Sequence, residues 1–449
     1  MIKRKKKISI LIAAIIGVCC IIMPNKEEVK ATESGSFNVL SLNVAGLPEG
    51  LSSSNPKNNT LQMSPLLNDY DLVSVQEDFA YHNDLMKYDK HTYKTETSGN
   101  VPIGDGMNFM SNFKINNVTR KTWNKRYGFI SNGADEMTPK GILYSSMEIK
   151  PGYFIDVYDI HADADVDEGS CEARRDNMNQ LAALIKERSE GKAVIVIGDT
   201  NSRYTRSQDN FEEAVLNTCG LKDVWIQIVR NGQVPHDGEA LIDKSNPNSV
   251  NNEVVDKIWY RSGENIDLEA FNYNLIIDKF VDSSGNQLSD HYPIEAQFNY
   301  LLKDNIKMSD TYGGDGGNGF SFIDEMNSRF PSSVTINSGN RLDSITFNYD
   351  NTKVSAGGDG GVSQELKLKD GEYITSMELS KAKKSSTGSY RISYIKLETN
   401  YGNVLEGGKK GEIIKFNASE GYAIAGVYGT SGDEIDSLGA IYKIKWFCN

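Results

Sequence analysis

Short apolar runs recur through the first two thirds of the chain, each bounded by polar residues. Phe37-Asn38-Val39-Leu40-Ser41-Leu42 and Leu72-Val73-Ser74-Val75 have the length of buried strands. So do Phe154-Ile155-Asp156-Val157-Tyr158-Asp159-Ile160 and Ala193-Val194-Ile195-Val196-Ile197, the last rich in β-branched residues. Between these two, Arg174 to Arg188 sets Met178, Leu181, Leu184 and Ile185 on one helical face. Strands mixed with helices predict an α/β sandwich and not a helical bundle. After Asp310 the pattern changes. Gly313-Gly314-Asp315-Gly316-Gly317 and Gly357-Gly358-Asp359-Gly360-Gly361 repeat one glycine motif 44 residues apart, among short alternating runs such as Ser344–Tyr349 and Arg391–Leu397. No long helical period appears there, which predicts an all-β domain with internal repetition. That half also lacks histidine, so it reads as a binding module, joined by the polar loop 303–311 without merging the two cores.

The N-terminus reads as an export signal. Lys3, Arg4, Lys5, Lys6 and Lys7 precede an apolar run, Ile8 to Met23, whose 16 residues fall short of the roughly 20 that span a bilayer. Val29-Lys30-Ala31 offers a cleavage site, so the expected division is a signal peptide over 1–31, a first domain over 32–302 and a second over 303–449. The alternative is an uncleaved anchor. Export implies a secreted, extracellular protein. The formal charge is −13; removing seven basic and two acidic residues with the signal makes it −18. Residues 309–449 carry fifteen basic and eighteen acidic residues, which leaves about −15 on the first domain. A field of that sign attracts divalent cations and argues against a processive nucleic-acid binder. Export also permits a disulfide between Cys171 and Cys219, with unpaired thiols as the alternative.

Polar residues gather at the predicted strand ends of the first domain. Asn43 ends the first strand, Gln76-Glu77 the second, His161 the third, and Gly198-Asp199-Thr200-Asn201 the fourth. Asp256 lies in Val254–Tyr260, and Ser289-Asp290-His291-Tyr292-Pro293 precedes the last strand. Hard cations require oxygen ligands, which Asn43, Glu77 and Asp290 supply. Phosphoester hydrolysis needs a base for water and a clamp on the phosphoryl oxygens. His291 paired with Asp256 suits the base; His161, Asp199 and Asn201 suit the phosphoryl oxygens and the attacking water.

This ordered set resembles the endonuclease/exonuclease/phosphatase superfamily, whose members include deoxyribonucleases, inositol polyphosphate 5-phosphatases and neutral sphingomyelinases. The resemblance covers residues 36 to 300. It implies a four-layer αββα sandwich with the site at one rim, Glu77 as the main Mg²⁺ ligand beside Asn43, and Mn²⁺ or Ca²⁺ as alternative ions. It also implies that Asp199 and Asn201 orient water and phosphate, Asp256 orients His291, Asp290 joins the metal and base cluster, and His161 contacts the phosphate. Thr138-Pro139-Lys140-Gly141, Gly104-Asp105-Gly106-Met107 and Asn179-Gln180-Leu181 look like elements of bacterial-type neutral sphingomyelinases. The aromatic hairpin of those enzymes is missing, since Asn272 to Gln287 is short and polar. The expected activity is a sphingomyelinase-like phosphodiesterase of lipid headgroups, followed by a nuclease and by an inositol- or sugar-phosphatase.

In the second domain, Gly313–Gly317 and Gly432-Asp433-Glu434-Ile435-Asp436 resemble the two signatures of jacalin-related lectins, over about residues 309 to 446. That implies a β-prism of three short sheets. Gly317, Asp433, Glu434 and Asp436 would line a mannose- or galactose-type site, Asp433 and Glu434 through main chain and Asp436 through its carboxylate. Such a lectin would bring the hydrolase to a membrane or cell surface. The competing class is a glycan-binding adhesin with an inactive sandwich. Asp163-x-Asp165-x-Asp167 starts like a calcium loop but has Glu168 at the glycine position, so it reads as an acidic solvated loop. His82, His91 and His236 read as surface or packing residues, and Arg174 and Arg175 as either reaching phosphate or pairing with acids from a helix face.

Overall fold

The first domain's strands alternate inward and outward side chains on two facing sheets, as the short runs anticipate. The computed structural model describes residues 33–445, apart from 52–54, 102–103, 130–131, 244, 247, 304, 327–328 and 351. The expected signal peptide lies outside the described residues. In chain order the strands are β1 (Ser34–Asn43), β2 (Leu72–Gln76), β3 (Tyr93–Lys94), β4 (Asn108–Ser111), β5 (Lys114–Thr122) and β6 (Gly141–Lys150). There follow β7 (Tyr153–His161), β8 (Val194–Asp199), β9 (Lys222–Asp223), β10 (Asp256–Arg261), β11 (Ile266–Leu275) and β12 (Ile294–Leu302). One sheet has the order β11-β12-β1-β2-β4-β3 and the other β5-β6-β7-β8-β10-β9.

Period-two alternation assigns each face. On β1, Phe37 and Val39 join the core between the sheets, while Leu40 and Leu42 turn outward against Met63 and Leu67. Those two belong to the helix Pro56–Met63 and the 3₁₀ turn that follows it. On the other side the helix Glu168–Arg188 packs Met178, Leu181 and Ile185 onto the second sheet. Asp167 starts this helix, its carboxylate accepting from Gly169 N and Ser170 N at 3.0 and 3.2 Å. The result is helix, sheet, sheet, helix. Cys171 and Cys219 are free and buried.

Among the described strands, only β1–β2 and β7–β8 pair in parallel, with Asn43 opposite Gln76 and His161 opposite Asp199. Asp256, first in β10, also lies opposite Asp199. These registers carry the polar strand ends to one rim.

After Leu302 every regular element among the described residues is a strand. Thirteen strands form a nine-stranded and a four-stranded sheet. Within the larger one, the strands Ile374–Lys383 and Tyr422–Ser431 meet at a single pair, Ile374 with Ile424. That sheet is therefore two faces joined at a corner, and the domain has the three faces of a prism.

The two halves also pack directly against each other. Asn116, almost fully buried, accepts Gly319 N at 2.8 Å, and Asn117 Nδ2 donates to Gly319 O at 3.2 Å. Gly152, at φ +77°, lies so close to Met308 and Tyr428 that a Cβ there would meet them at 2.7 and 2.9 Å. Asn265 Nδ2 donates to Ile323 O and to Asp324 Oδ1. These contacts involve the start of β5 and the β6–β7 turn, so the prism packs on the rim opposite His161.

Candidate active site

Two backbone devices shape the catalytic rim. Glu77 and Asn201 follow β2 and β8 closely, and both adopt left-handed conformations, φ +58° and +49°. Such residues cost stability and persist where surrounding contacts fix them. Here Glu77 O accepts Gly46 N and Phe79 N at 3.1 and 2.8 Å, and Asn201 Nδ2 donates to Ala162 O at 3.1 Å.

The side chains then converge. Asn43 Nδ2 donates to Glu77 Oε1 at 3.1 Å and to Asp199 Oδ2 at 3.2 Å, while its Oδ1 accepts Ala45 N at 3.0 Å. Asn43 therefore bridges two carboxylates. His161 Nε2 is 3.5 Å from Asp199 Oδ2 and 3.9 Å from Glu77 Oε1. Asp199 Oδ1 accepts Asn201 N at 2.9 Å. His291 Nδ1 lies 2.8 Å from Asp256 Oδ2, and its Nε2 lies 3.7 Å from Asp199 Oδ2. Ser289 holds that loop by donating to Asn43 O at 2.6 Å and accepting His291 N at 3.1 Å. Seven of the eight sandwich residues singled out from sequence meet here. Asp290 stands apart: its carboxylate is exposed, 3.5 Å from Ser289 Oγ, and acts on His291 only through its charge.

Burial raises Glu77 and Asp199 above the usual carboxylate range. Burial, then the charges of Lys140 and His291, hold His161 well below the ordinary histidine value, so it is neutral. Burial pulls His291 down too, but Asp256, Asp199 and Asp290 outweigh it and keep the imidazole protonated. Lys140 is a member that sequence reasoning left out of the site. Its ammonium is buried against Asp135, and the charges of Asp135, Glu77 and Asp199 overcome desolvation to hold it above its ordinary value. The Thr138–Gly141 element was its signal.

A divalent cation fits this donor set. Ligand atoms of Asp199, Asp256 and His291 lie within 4.8 Å of one another, with Glu77 linked to Asp199 by two hydrogen bonds through Asn43. Asp256 Oδ1 and His161 Nδ1 are buried without hydrogen-bond partners. A buried carboxylate oxygen without a partner is costly, and a cation beside Asp256 supplies what it lacks.

The loop after β7 corrects the reading of a solvated acidic loop. Asp163 is fully buried, its Oδ2 accepting Tyr127 N at 2.7 Å, and burial with the Asp135 charge pushes it up to about 8. Asp167 is the helix cap, and Asp165 alone of the three is exposed. Arg174 is buried and pairs with Asp209 at 2.9 Å. His91 lies between Asp89 and Tyr70 O, and His82 on Asp78, so both are structural; His236 is exposed.

In the prism, Gly317 takes φ +72° and passes so close to Asp436 that a Cβ would meet Oδ2 at 2.7 Å. Asp436 is 1% exposed, with Oδ1 2.6 Å from Arg391 Nη1. That contact lacks hydrogen-bond alignment, since Oδ1 has no such partner. Arg341 grips Glu434 with two bonds of 2.8 and 2.7 Å, and Asp433 is exposed.

The chain belongs to the Endonuclease/Exonuclease/phosphatase family 2, a family of phosphoester hydrolases, matched over residues 51–297. Residues 309–441 match the Jacalin-like lectin domain. Among curated proteins it is similar to the sphingomyelinases of Mycobacterium tuberculosis and Mycobacterium bovis, 36% identical over 287 residues, 61% of this chain and 55% of each relative. The chain thus spans about half the length of these relatives. Among solved structures it is similar to Malaysian banana lectin, at 28% identity and TM-score 0.27, over 31% of this chain and 99% of that one. Beta toxin 275-280 from Staphylococcus aureus is similar at 19% identity and TM-score 0.42, over 58% of this chain and 99% of that one.

Proposed function

We propose that this chain is a secreted, Mg²⁺-dependent phosphodiesterase that releases the headgroup of a phospholipid, with sphingomyelin as substrate. The observation that carries it is the convergence of Glu77, Asp199, Asp256, His161 and His291 at one rim, with a buried oxygen of Asp256 left without a partner. The curated relatives named above are called sphingomyelinases, which supports the choice of substrate. A bound divalent cation, held by Glu77 with Asn43 and Asp199 beside it, would supply positive charge to the phosphoryl oxygens. Mn²⁺ or Ca²⁺ are the alternative ions, and Asp290 would join from the cleft edge. Asp256 fixes the His291 ring through Nδ1, which leaves Nε2 to accept the proton of the attacking water. That role needs a neutral ring, and any positive charge brought among Asp199 and Asp256 offsets the carboxylates that keep it protonated. Neutral His161 and the Asn201 amide bind phosphoryl oxygens, and Lys140 adds buried positive potential behind them.

The prism targets the enzyme to a mannose- or galactose-type glycan through Gly317, Asp433, Glu434 and Asp436. The experiment is a substrate panel in Mg²⁺: sphingomyelin, DNA and inositol phosphates. Release of phosphocholine is expected. Nucleotides would make it an endonuclease, inorganic phosphate a monoesterase, and no product an adhesin with an inactive sandwich.

A further inference from the structure

The sandwich's exposed apolar side chains are unevenly distributed, and strand polarity says where they lie. β1, β2, β7 and β8 end at the catalytic rim, and β10 starts there. Thr122 pairs with Gly141, so the β5–β6 connection leaves and re-enters the sheet at the same rim. Leu51 follows β1 and is 68% exposed, Phe129 in the β5–β6 connection 62%, Val166 after β7 68%, and Ile242 before β10 53%. Tyr127, Val234 and Val250 are exposed on these same loops. The sandwich's other exposed large apolar residues among those described sit elsewhere: Val118, Phe271 and Leu301 on strands, Tyr88 between β2 and β3.

The loops are held in place. Tyr127 N donates to buried Asp163, and the Tyr127 ring covers Gly169 so tightly that a Cβ there would meet it at 2.5 Å. That contact sets Tyr127 and Phe129 beside the Val166 loop. On the other side of the cluster, Ile242 lines a cavity of about 440 Å³ together with Arg203, Asp256, Asp290 and His291. The segment before β12 offers no such surface: Asp282 closes it into a polar turn with Ser284 and Asn286.

We infer that Leu51, Phe129, Val166 and Ile242 form a ring of apolar tips that seats the catalytic rim on a zwitterionic lipid surface. Resting on the lipid-headgroup reading, this names the surface by which the cleft meets its substrate. Apolar residues distributed around a cleft leave water when they enter the headgroup boundary. A protein surface seldom keeps such tips together without a partner. The sandwich's charge of about −15 selects among surfaces, since an anionic bilayer or a polyanion repels it. The prism packs on the opposite rim and leaves the ring open.

The test uses the full chain, the double variant Phe129→Asp/Val166→Asp, and Val118→Asp as a control off the rim. Co-sedimentation with phosphatidylcholine–sphingomyelin vesicles should fall about tenfold or more in the double variant, as expected when apolar anchors become charged. Val118→Asp should sediment like the unaltered chain. Hydrolysis of detergent-dispersed sphingomyelin should stay within about twofold in the double variant, because both side chains are exposed and neither residue belongs to the catalytic set. Equal sedimentation of the chain and the double variant, equal loss in Val118→Asp, or no sedimentation at all would overturn the ring. Absence of phosphocholine release from detergent-dispersed lipid would overturn the lipid reading instead, so the two failures are distinguishable.

Discussion

The catalytic rim and the glycine-loop end of the prism both bury carboxylates, yet they balance them differently. At the rim, Glu77, Asp199 and Asp256 share one amide bridge, two imidazoles and the field of Lys140, and an oxygen of Asp256 is left without a partner. At the prism, each carboxylate already faces a guanidinium: Glu434 meets Arg341, and Asp436 meets Arg391. A cluster whose carboxylates outnumber its fixed cations is prepared for a cation from outside, whereas one whose buried carboxylates each face a guanidinium is prepared for neutral hydroxyls that exchange hydrogen bonds. The difference separates a site for chemistry from a site for recognition.

The strongest way to break this comparison is to remove the rim's acids. Glu77→Gln deletes one charge and little volume, and activity in Mg²⁺ should fall by at least ~10²-fold while the circular dichroism stays native. Chelation by EDTA should abolish the activity of the unaltered chain. Unchanged turnover in Glu77→Gln would move the cation to Asp199, Asp256 and His291, whose ligand atoms cluster without Glu77. His291→Ala should cost about 10²-fold or more, the range for a lost acid–base group, with the urea midpoint little changed. The same loss with an unaltered pH profile would assign the proton to another group.

The prism side of the comparison sharpens with Asp436→Ala. Glycan-array binding should disappear because the buried acceptor is lost, and Arg391 is left facing a void. Stability should fall by about 1–3 kcal/mol, the usual cost of an unpaired buried polar group. Hydrolysis of detergent-dispersed lipid should not change, since the prism packs on the far rim. Retained sugar binding would remove Asp436 from the site.

What the sequence disclosed follows from which interactions are local. Strands β1, β2, β7 and β8 and the helix after β7 are legible because burial imposes a period of 2 or 3.6 on neighbouring residues. Asn43, Glu77, His161 and Asp199 are legible for the same reason, since each closes or follows a strand whose end is legible. Contacts made across the chain leave no period. The Lys140–Asp135–Asp163 cluster needs the β5–β6 connection to fold over the loop after β7, and sequence showed only an acidic run there. Arg341 and Arg391 precede their carboxylates by 93 and 45 residues, so the matched charges of the prism were invisible. The docking of the two halves depends on Asn116 and Gly319, neither of which belongs to any motif.

The smallest effect expected lies between the two regions, at the seam. Asp324 accepts Asn265 Nδ2 at 2.9 Å beside Glu325, and burial, outweighing that hydrogen bond, pushes its carboxyl up to about 7. Unfolded, the same carboxyl titrates near ~3.9. Between about pH 4 and pH 7 the folded chain therefore holds a proton that the unfolded chain has released, and stability falls as pH rises through that window. Above about pH 7 both forms are ionised and this contribution levels off. Asp324→Asn keeps the size of the side chain and removes the titration. The thermal midpoint of the unaltered chain should decline from about pH 5 to about pH 8 by about 1 °C more than that of the variant, as expected for about 1 kcal/mol in a chain of this size. Equal slopes for the two proteins would mean that Asp324 is ionised at neutral pH, with Lys192, which ion-pairs with Glu325 at 3.8 Å, as the cation that keeps it so.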